Sequence, residues 1–181
     1  MLKTRMLLAL AACSLTALAV PGIVHAATVV SNGTALNVGD EVVLTSKELT
    51  WKDPTVAGWQ SCSVTVRSKV AKNAPTPELS EQETTFKSCQ QTVTEAHSGP
   101  FFIYDEKEGP EGLASTKNNG FLYTLYGLCP MKGSFAFRYV YGTNTLKISN
   151  ALAASSCWYT QEWKGKFDLT TSSGVPVSIV R

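Results

Sequence analysis

One-for-one alternation of apolar and polar residues is the feature of this sequence that most restricts its fold. In CSVTVRSKV, residues 62–70, an apolar set alternates with a polar set: Cys62, Val64 and Val66 against Ser63, Thr65, Arg67 and Lys69. A period of two places successive side chains on opposite faces of a β-strand. The stretches GFLYTLYGLC (120–129) and SFAFRYVY (134–141) alternate in the same way, and no window sustains a helical period. The pattern therefore predicts an all-β chain.

Turn signals between these stretches predict how the strands connect. The tripeptide at 142–144, Gly-Thr-Asn, separates SFAFRYVY from TLKIS, which predicts a hairpin. Segments rich in Pro, Gly, Asn and charge at 72–81, 105–112 and 115–120 are predicted as loops. Further strand candidates include EVVLTS, ELTWK, PFFIYD and KFDLTT. About ten short strands in roughly 150 residues are typical of an antiparallel β-sandwich or flattened barrel.

Four cysteines follow the first 26 residues: Cys62, Cys89, Cys129 and Cys157. An even number in an exported chain predicts two disulfides, and the absence of a Cys-x-x-Cys motif disfavours a zinc site. Cys62 and Cys89 are 27 positions apart, Cys129 and Cys157 are 28 apart, and a serine precedes the second member of each pair. We interpret the chain as two similar halves, which favours Cys62 with Cys89 and Cys129 with Cys157 among three connectivities.

Residues 1–26 have the layout of an export signal. Lys3 and Arg5 precede an apolar run, and small residues lead to a cut predicted after Ala26. The tetrapeptide ending at Cys13 offers an alternative, in which Cys13 carries a lipid anchor. The apolar residues that follow Cys13 fit a signal that continues to Ala26 better than a polar tether. We therefore expect a secreted protein with a single all-β domain over 27–181.

The predicted mature chain has almost no net charge. All 14 acidic residues remain, and the sum of Lys and Arg falls from 16 to 14 because Lys3 and Arg5 are removed. A nucleic-acid or anionic-membrane surface needs a clustered excess of basic residues, so neither partner is expected. No later segment is long and apolar enough to predict a transmembrane helix.

Short motifs follow one another in a fixed order along the chain. They are Val38-Gly39, Thr45-Ser46 and Leu49-Thr50 near the start, the four cysteines, the segment 163–169 and the closing PVSI. In this order they resemble a group of small secreted actinobacterial proteins with no assigned activity. The likeness spans most of the chain after residue 26, and its motifs are strand and turn residues. It implies an exported β domain with two disulfides and implies no mechanism.

Candidates for catalysis and metal binding are few in this sequence. His97 is the only histidine after residue 26, and its setting in TEAHSGP predicts a surface loop. A Ser-His-Asp arrangement would need this one imidazole, and no Gly-x-Ser-x-Gly motif accompanies it. The acidic segment 105–111 matches no standard calcium loop and is interpreted as a solvated turn. No catalytic residue, metal or cofactor is expected.

Aromatic residues are the best lead to a function. The candidate binding residues are Trp51, Trp59, Trp158, Tyr159 and Trp163. Exposed Trp and Tyr side chains on β-folds bind sugars and peptides. Most aromatic residues of a small domain, however, pack in its core. We expect a non-catalytic binding or structural module at the cell envelope or outside the cell, with carbohydrate or another extracellular protein as partner. The alternatives are a carboxylate-dependent glycoside hydrolase and a small secreted enzyme inhibitor.

Overall fold

The computed structural model describes residues 26–52, 58–90, 93–98, 101–104, 110–116, 121–125, 129–133, 136–148, 151–155 and 160–181. Side chains are described over 26–52, 58–90, 103, 110–115, 136–148 and 162–181. Within these residues all regular secondary structure is β-strand. The prediction of an all-β chain is confirmed.

The strands are, in chain order, β1 (Thr28–Ser31), β2 (Thr34–Ala35), β3 (Glu41–Lys52), β4 (Trp59–Lys72), β5 (Glu78–Lys87), β6 (Val93–Ser98), β7 (Phe101–Tyr104), β8 (Glu111–Thr116), β9 (Phe121–Leu125), β10 (Cys129–Gly133), β11 (Ala136–Val140), β12 (Thr145–Ile148), β13 (Ala151–Ser155), β14 (Thr160–Lys164), β15 (Lys166–Thr171) and β16 (Val177–Val180). All the ladders that join these strands are antiparallel, as predicted.

Eight of these strands close into a ring through their hydrogen-bonded ladders. Around the ring the order is β3, β4, β5, β7, β8, β11, β12 and β15, and β15 pairs back with β3. Closure gives each member of such a ring a partner on both sides, so that its backbone N–H and C=O groups are bonded within the protein.

The remaining strands of the large sheet form a second tier. β14 pairs with the second half of β3, and β13, β10, β9 and β6 follow in that order. The strand order in this tier parallels the strand order in the ring. β13 pairs with β14 where the ring has β12 paired with β15, and β9 pairs with β10 where the ring has β8 paired with β11. Seven of the ladders in the described structure join strands that are consecutive in the chain, and eight join strands that are not, such as β8 with β11 and β12 with β15.

The longest strands run through both tiers. EVVLTS and ELTWK, predicted as separate strands, form the single strand β3, in which the pairing with β4 shifts by one residue between Ser46 and Leu49. Such a shift is a β-bulge, which keeps the strand continuous while changing its direction. The prediction of short strands is therefore wrong for β3 and β4, which have 12 and 14 residues.

A continuous apolar core lies against the buried faces of these strands. The alternation predicted for 62–70 is confirmed, since Cys62, Val64 and Val66 are buried and Arg67 and Lys69 are exposed. The ring contributes further buried side chains: Val42, Leu44, Val70, Leu79, Ile103, Ala114, Phe137, Tyr139, Leu146, Ile148, Phe167 and Leu169. Gly112 lies opposite Tyr139, whose ring occupies the space that a Cβ at Gly112 would take.

A small sheet of β16, β1 and β2 packs on the same core. Its buried residues are Ala27, Val29, Val177 and Ile179, which join the hydrophobic cluster of the ring. Asn73, just after β4, fixes this sheet in place. Its Oδ1 accepts a hydrogen bond from Val29 N at 2.7 Å, and its Nδ2 donates to the carbonyls of Val29 and Leu36 at 3.0 and 2.6 Å. One amide thus bonds β1 and the residue that follows β2.

The three predicted loop segments, 72–81, 105–112 and 115–120, all overlap strands, since β8 begins at Glu111 and ends at Thr116. β4 runs to Lys72 and β5 begins at Glu78, so the loop predicted over 72–81 is confined to 73–77. His97, predicted to lie in a loop, lies on β6 opposite Leu122 of β9. The hairpin predicted at 142–144 is confirmed, since β11 and β12 pair across it.

The disulfide between Cys62 and Cys89 is present, as predicted. Cys62 lies on β4 and Cys89 follows β5, with 4.2 Å between their Cα atoms. The backbones beside the bond are also joined, because Gln90 N donates to the Ser61 carbonyl at 3.2 Å. Cys129 begins β10, and Cys157 lies outside the described residues, so their pairing stays a prediction.

Replacing both Cys62 and Cys89 by alanine is expected to lower the free energy of unfolding by about 3–4 kcal/mol, because the bond restricts a loop of nearly thirty residues in the unfolded chain. Urea unfolding followed by circular dichroism, with wild type measured in parallel, gives the difference. A loss below about 1 kcal/mol would contradict this account.

Peptide mapping without reduction tests the second bond. We expect one cross-linked fragment that joins Cys62 to Cys89 and another that joins Cys129 to Cys157. Ser155, two residues before Cys157, lies opposite Met131, two residues after Cys129, which favours this pairing. A fragment that joins a cysteine of one pair to a cysteine of the other would overturn the interpretation of two similar halves.

Candidate functional site

The five aromatic candidates lie in different environments. Trp51 on β3 and Trp163 on β14 are fully buried, and their rings stack with centroids 4.8 Å apart and planes at 20°. The two residues lie opposite each other in the ladder between the strands. These indoles contribute to the core and present no surface to a ligand. Trp158 and Tyr159 lie outside the described residues.

Trp59 is the candidate that faces solvent, with 40% of its surface exposed. It is the first residue of β4, where burial alternates so that Gln60 and Cys62 face the core and Trp59 faces outward. The Nζ atom of Lys164 lies 4.3 Å from the centroid of the Trp59 ring. The same Nζ atom lies 2.9 Å from Glu162 Oε1. A cation over the indole face is attracted by the negative potential of the π system, and here a carboxylate holds that cation in place.

Cross-strand pairing surrounds Trp59 with polar side chains on the same outer face. Trp59 is opposite Lys52 of β3, and Lys52 is opposite Glu162 of β14. One step along the face, Ser61, Thr50 and Lys164 are paired in the same way. These residues, Thr50, Lys52, Trp59, Ser61, Glu162 and Lys164, are called the Trp59 patch below. The patch offers one indole together with ammonium, carboxylate and hydroxyl groups, all carried by strands.

A groove lies where β3 passes from β15 to β14. The β-bulge in β3 leaves Lys47 and Glu48 exposed in succession. Gly165 separates β14 from β15 and allows the close approach of β3, because a Cβ there would lie 3.1 Å from Leu49 Cδ1 and 3.3 Å from the Glu48 carbonyl oxygen. The groove has a volume of about 540 Å³. Its lining residues are Lys47, Glu48, Thr145, Lys147, Gly165, Lys166 and Asp168, and we call it the lysine groove.

Positive charge in the lysine groove is not neutralised by contact. Lys147 of β12 lies directly opposite Lys166 of β15, and like charges in that position cost up to about 1 kcal/mol. Asp168 accepts a hydrogen bond from Thr145 Oγ1 at 3.1 Å. Among the described residues, no carboxylate comes within 4.0 Å of the ammonium groups of Lys47, Lys147 or Lys166.

The other chemical candidates gain no support. Asp105, Glu106 and Glu108 lie outside the described residues, and Glu111 forms an ion pair with Arg138 at 3.4 Å. The part of the chain that is described contains no group of three or more His, Cys, Asp or Glu residues able to hold a metal ion. It also contains no helix of the length and hydrophobicity needed to cross a membrane.

Comparison of the chain with protein-family models, with curated proteins and with solved structures finds no match. The interpretation of the site therefore depends on the residues of this chain alone.

Sequence reasoning missed the lysine groove and found only part of the Trp59 patch. Lys147, Lys164 and Lys166 are visible in TLKIS and WKGKF as the polar members of alternating strands. Their convergence depends on which strands pair and in what register, and the sequence leaves both open. Trp59 is one of five aromatic candidates in the sequence, and no local signal separates it from the buried Trp51.

Substitution of the tryptophans by alanine should separate the core residue from the surface residue. Trp51→Ala is expected to lower the free energy of unfolding by about 3–5 kcal/mol, because it leaves a cavity against Trp163. Trp59→Ala is expected to cost less than about 1 kcal/mol, since it removes an exposed ring and its cation contact. Urea unfolding monitored by circular dichroism measures both, and equal losses for the two variants would contradict this assignment.

Proposed function

We propose that this protein is a secreted, non-catalytic binding module that recognises carbohydrate outside the cell through the Trp59 patch. The observation that carries the proposal is the outward-facing Trp59 ring set among polar groups on three adjacent strands. A sugar presents C–H groups on its ring faces and hydroxyls on its edges. An indole face packs against the C–H groups, and ammonium, carboxylate and hydroxyl groups beside the ring form hydrogen bonds with the sugar hydroxyls.

The patch is also built on paired strands, which favours binding. Trp59, Lys52 and Glu162 lie on paired strands, and the disulfide of Cys62 lies three residues along β4 from Trp59. A site built on strands loses less conformational entropy when a ligand binds than a site built on a free loop. The smaller entropy loss matters most for a weakly bound ligand such as a sugar, because each sugar ring makes few contacts.

The predicted export signal favours a partner outside the cell. The proposal combines the predicted signal at 1–26 with the Cys62–Cys89 disulfide, a bond that persists in oxidising compartments. A second disulfide and a flattened-barrel form of the fold are part of the same proposal, and the closed ring of eight strands supports the latter. The near-zero net charge of 27–181 agrees with a partner other than nucleic acid.

The charges on the outer face favour binding over hydrolysis. A glycoside hydrolase needs two carboxyl groups about 5–10 Å apart across a cleft that holds the scissile bond. Glu83, Glu111 and Glu162 each form an ion pair with a basic residue on the exposed surface instead. These three glutamates are therefore poor candidates for a hydrolase pair. We propose no enzymatic activity.

The test is a glycan-binding screen of 27–181 with both disulfides formed, followed by calorimetry on each ligand found. Trp59→Ala should weaken binding by about tenfold or more, since a central aromatic contact contributes on the order of 1.4 kcal/mol or above. Trp59→Phe keeps an aromatic face and should retain part of the affinity.

The matched control is Val140→Ala. Val140 is 42% exposed on the outer face of β11, so this variant removes a comparably exposed apolar side chain at a different place. Binding that falls equally in both variants, or that survives Trp59→Ala unchanged, would refute the role of the Trp59 patch. A wild-type protein that binds no glycan and instead captures an enzyme would favour the inhibitor alternative.

A further inference from the structure

The Trp59 patch and the lysine groove lie side by side on one outer face. Lys164 belongs to the patch and Lys166 lines the groove, with only Gly165 between them. Both lysines are exposed. A chain of linked units that rests on Trp59 can therefore continue along the surface into the groove, whereas a single small molecule would occupy one or the other.

The combined surface has an excess of positive charge. Five lysines, Lys47, Lys52, Lys147, Lys164 and Lys166, face three carboxylates, Glu48, Glu162 and Asp168, which leaves a net charge of +2. The predicted mature chain as a whole has 14 basic and 14 acidic residues. The excess is thus a property of this face and is balanced by acidic residues elsewhere.

The arrangement within the groove also points to an anion. Lys147 and Lys166 are held directly opposite each other by the ladder of β12 and β15. On the described surface Arg67, Arg138 and Lys164 are each within ion-pair distance of a glutamate, whereas Lys147 and Lys166, like Lys69, Lys72 and Lys87, are not. A surface that served only solubility would gain from a carboxylate opposite Lys147, as those pairs do. An anionic group between the two ammonium groups relieves their repulsion and accepts hydrogen bonds from both.

We propose that the ligand is an acidic polysaccharide, with a sugar ring on Trp59 and its carboxylate, sulfate or phosphate groups in the lysine groove. This inference rests on the proposed function and names the class of carbohydrate. An acidic protein is the less suitable partner. Stable protein interfaces bury an apolar centre, and on this face of the described structure Trp59 is the one large hydrophobic side chain that is exposed.

The experiment compares polymers that differ in charge. The probes are a polyuronate, dextran sulfate, uncharged dextran and a polyglutamate peptide, each titrated into the disulfide-bonded protein at low and at physiological salt. We expect the wild-type protein to bind at least one of the two acidic polysaccharides about tenfold or more tighter than dextran, and to bind less tightly as salt rises. The polyuronate and dextran sulfate arms distinguish carboxylate from sulfate as the anionic group.

Two variants locate the charge. The double variant Lys147→Gln with Lys166→Gln should weaken binding of the preferred polyanion about tenfold. The slope of the logarithm of the binding constant against the logarithm of the salt concentration should become shallower by about two, because two fewer counterions are released. Lys147→Arg with Lys166→Arg keeps both charges and should retain most of the affinity. Lys72→Gln with Lys87→Gln makes the same change of charge at exposed lysines of β4 and β5, outside the groove, and should leave binding nearly unchanged. Circular dichroism confirms that each variant is folded.

The possible outcomes separate this inference from the proposed function. If the Lys72 and Lys87 control weakens polyanion binding as much as the groove variant does, the attraction is non-specific and the lysine groove is not the binding site. Equal affinity for dextran and the acidic polymers, lost in Trp59→Ala, keeps the proposed function and overturns the acidic ligand. Binding of polyglutamate as tight as that of the polysaccharides overturns the choice of a glycan over an acidic protein. Failure to bind any polysaccharide overturns both proposals.

Discussion

The pairing of β3 with β15 is the constraint on which the rest of the structure depends. It joins residues 42–45 to residues 168–171, which are more than 120 positions apart in the chain, and it turns a sheet with two open edges into a ring. Buried side chains from strands on both sides of this ladder belong to one hydrophobic cluster. Contacts of such long sequence separation carry a large entropic cost and form late in the folding of β proteins.

The proposed binding surface is a product of the same closure. β3 pairs with β15 along its first half and with β14 along its second half, and the bulge after Ser46 lies at the change of partner beside Gly165. Two regular strands would leave no depression there. The irregularity opens the lysine groove and sets Lys47 beside the paired Lys147 and Lys166. Structure and proposed recognition therefore share one set of backbone contacts.

Local signals in the sequence predicted local features well. Alternation predicted the buried faces of β4 and β11, and turn residues predicted the turn at 142–144, because both signals act over a few residues. The number and spacing of the cysteines predicted the Cys62–Cys89 bond. The continuity of β3 was missed because the bulge shifts the phase of the alternation between Ser46 and Leu49. The sequence could not predict that Lys147 lies opposite Lys166. The register between these two strands, nearly twenty residues apart in the chain, depends on the pairing of the whole ring.

The burial of Ala27 and Val29 has a consequence for the proposed export of this protein. Ala27 is fully buried, and Val29 is bound through its N–H and its carbonyl to the side chain of Asn73. A protease needs an accessible, extended stretch on both sides of the bond that it cuts. The proposed cut after Ala26 would therefore have to come before β1 docks onto the ring. A precursor that folded before the proposed cut would hold Ala27 in the core and would be protected from cleavage there.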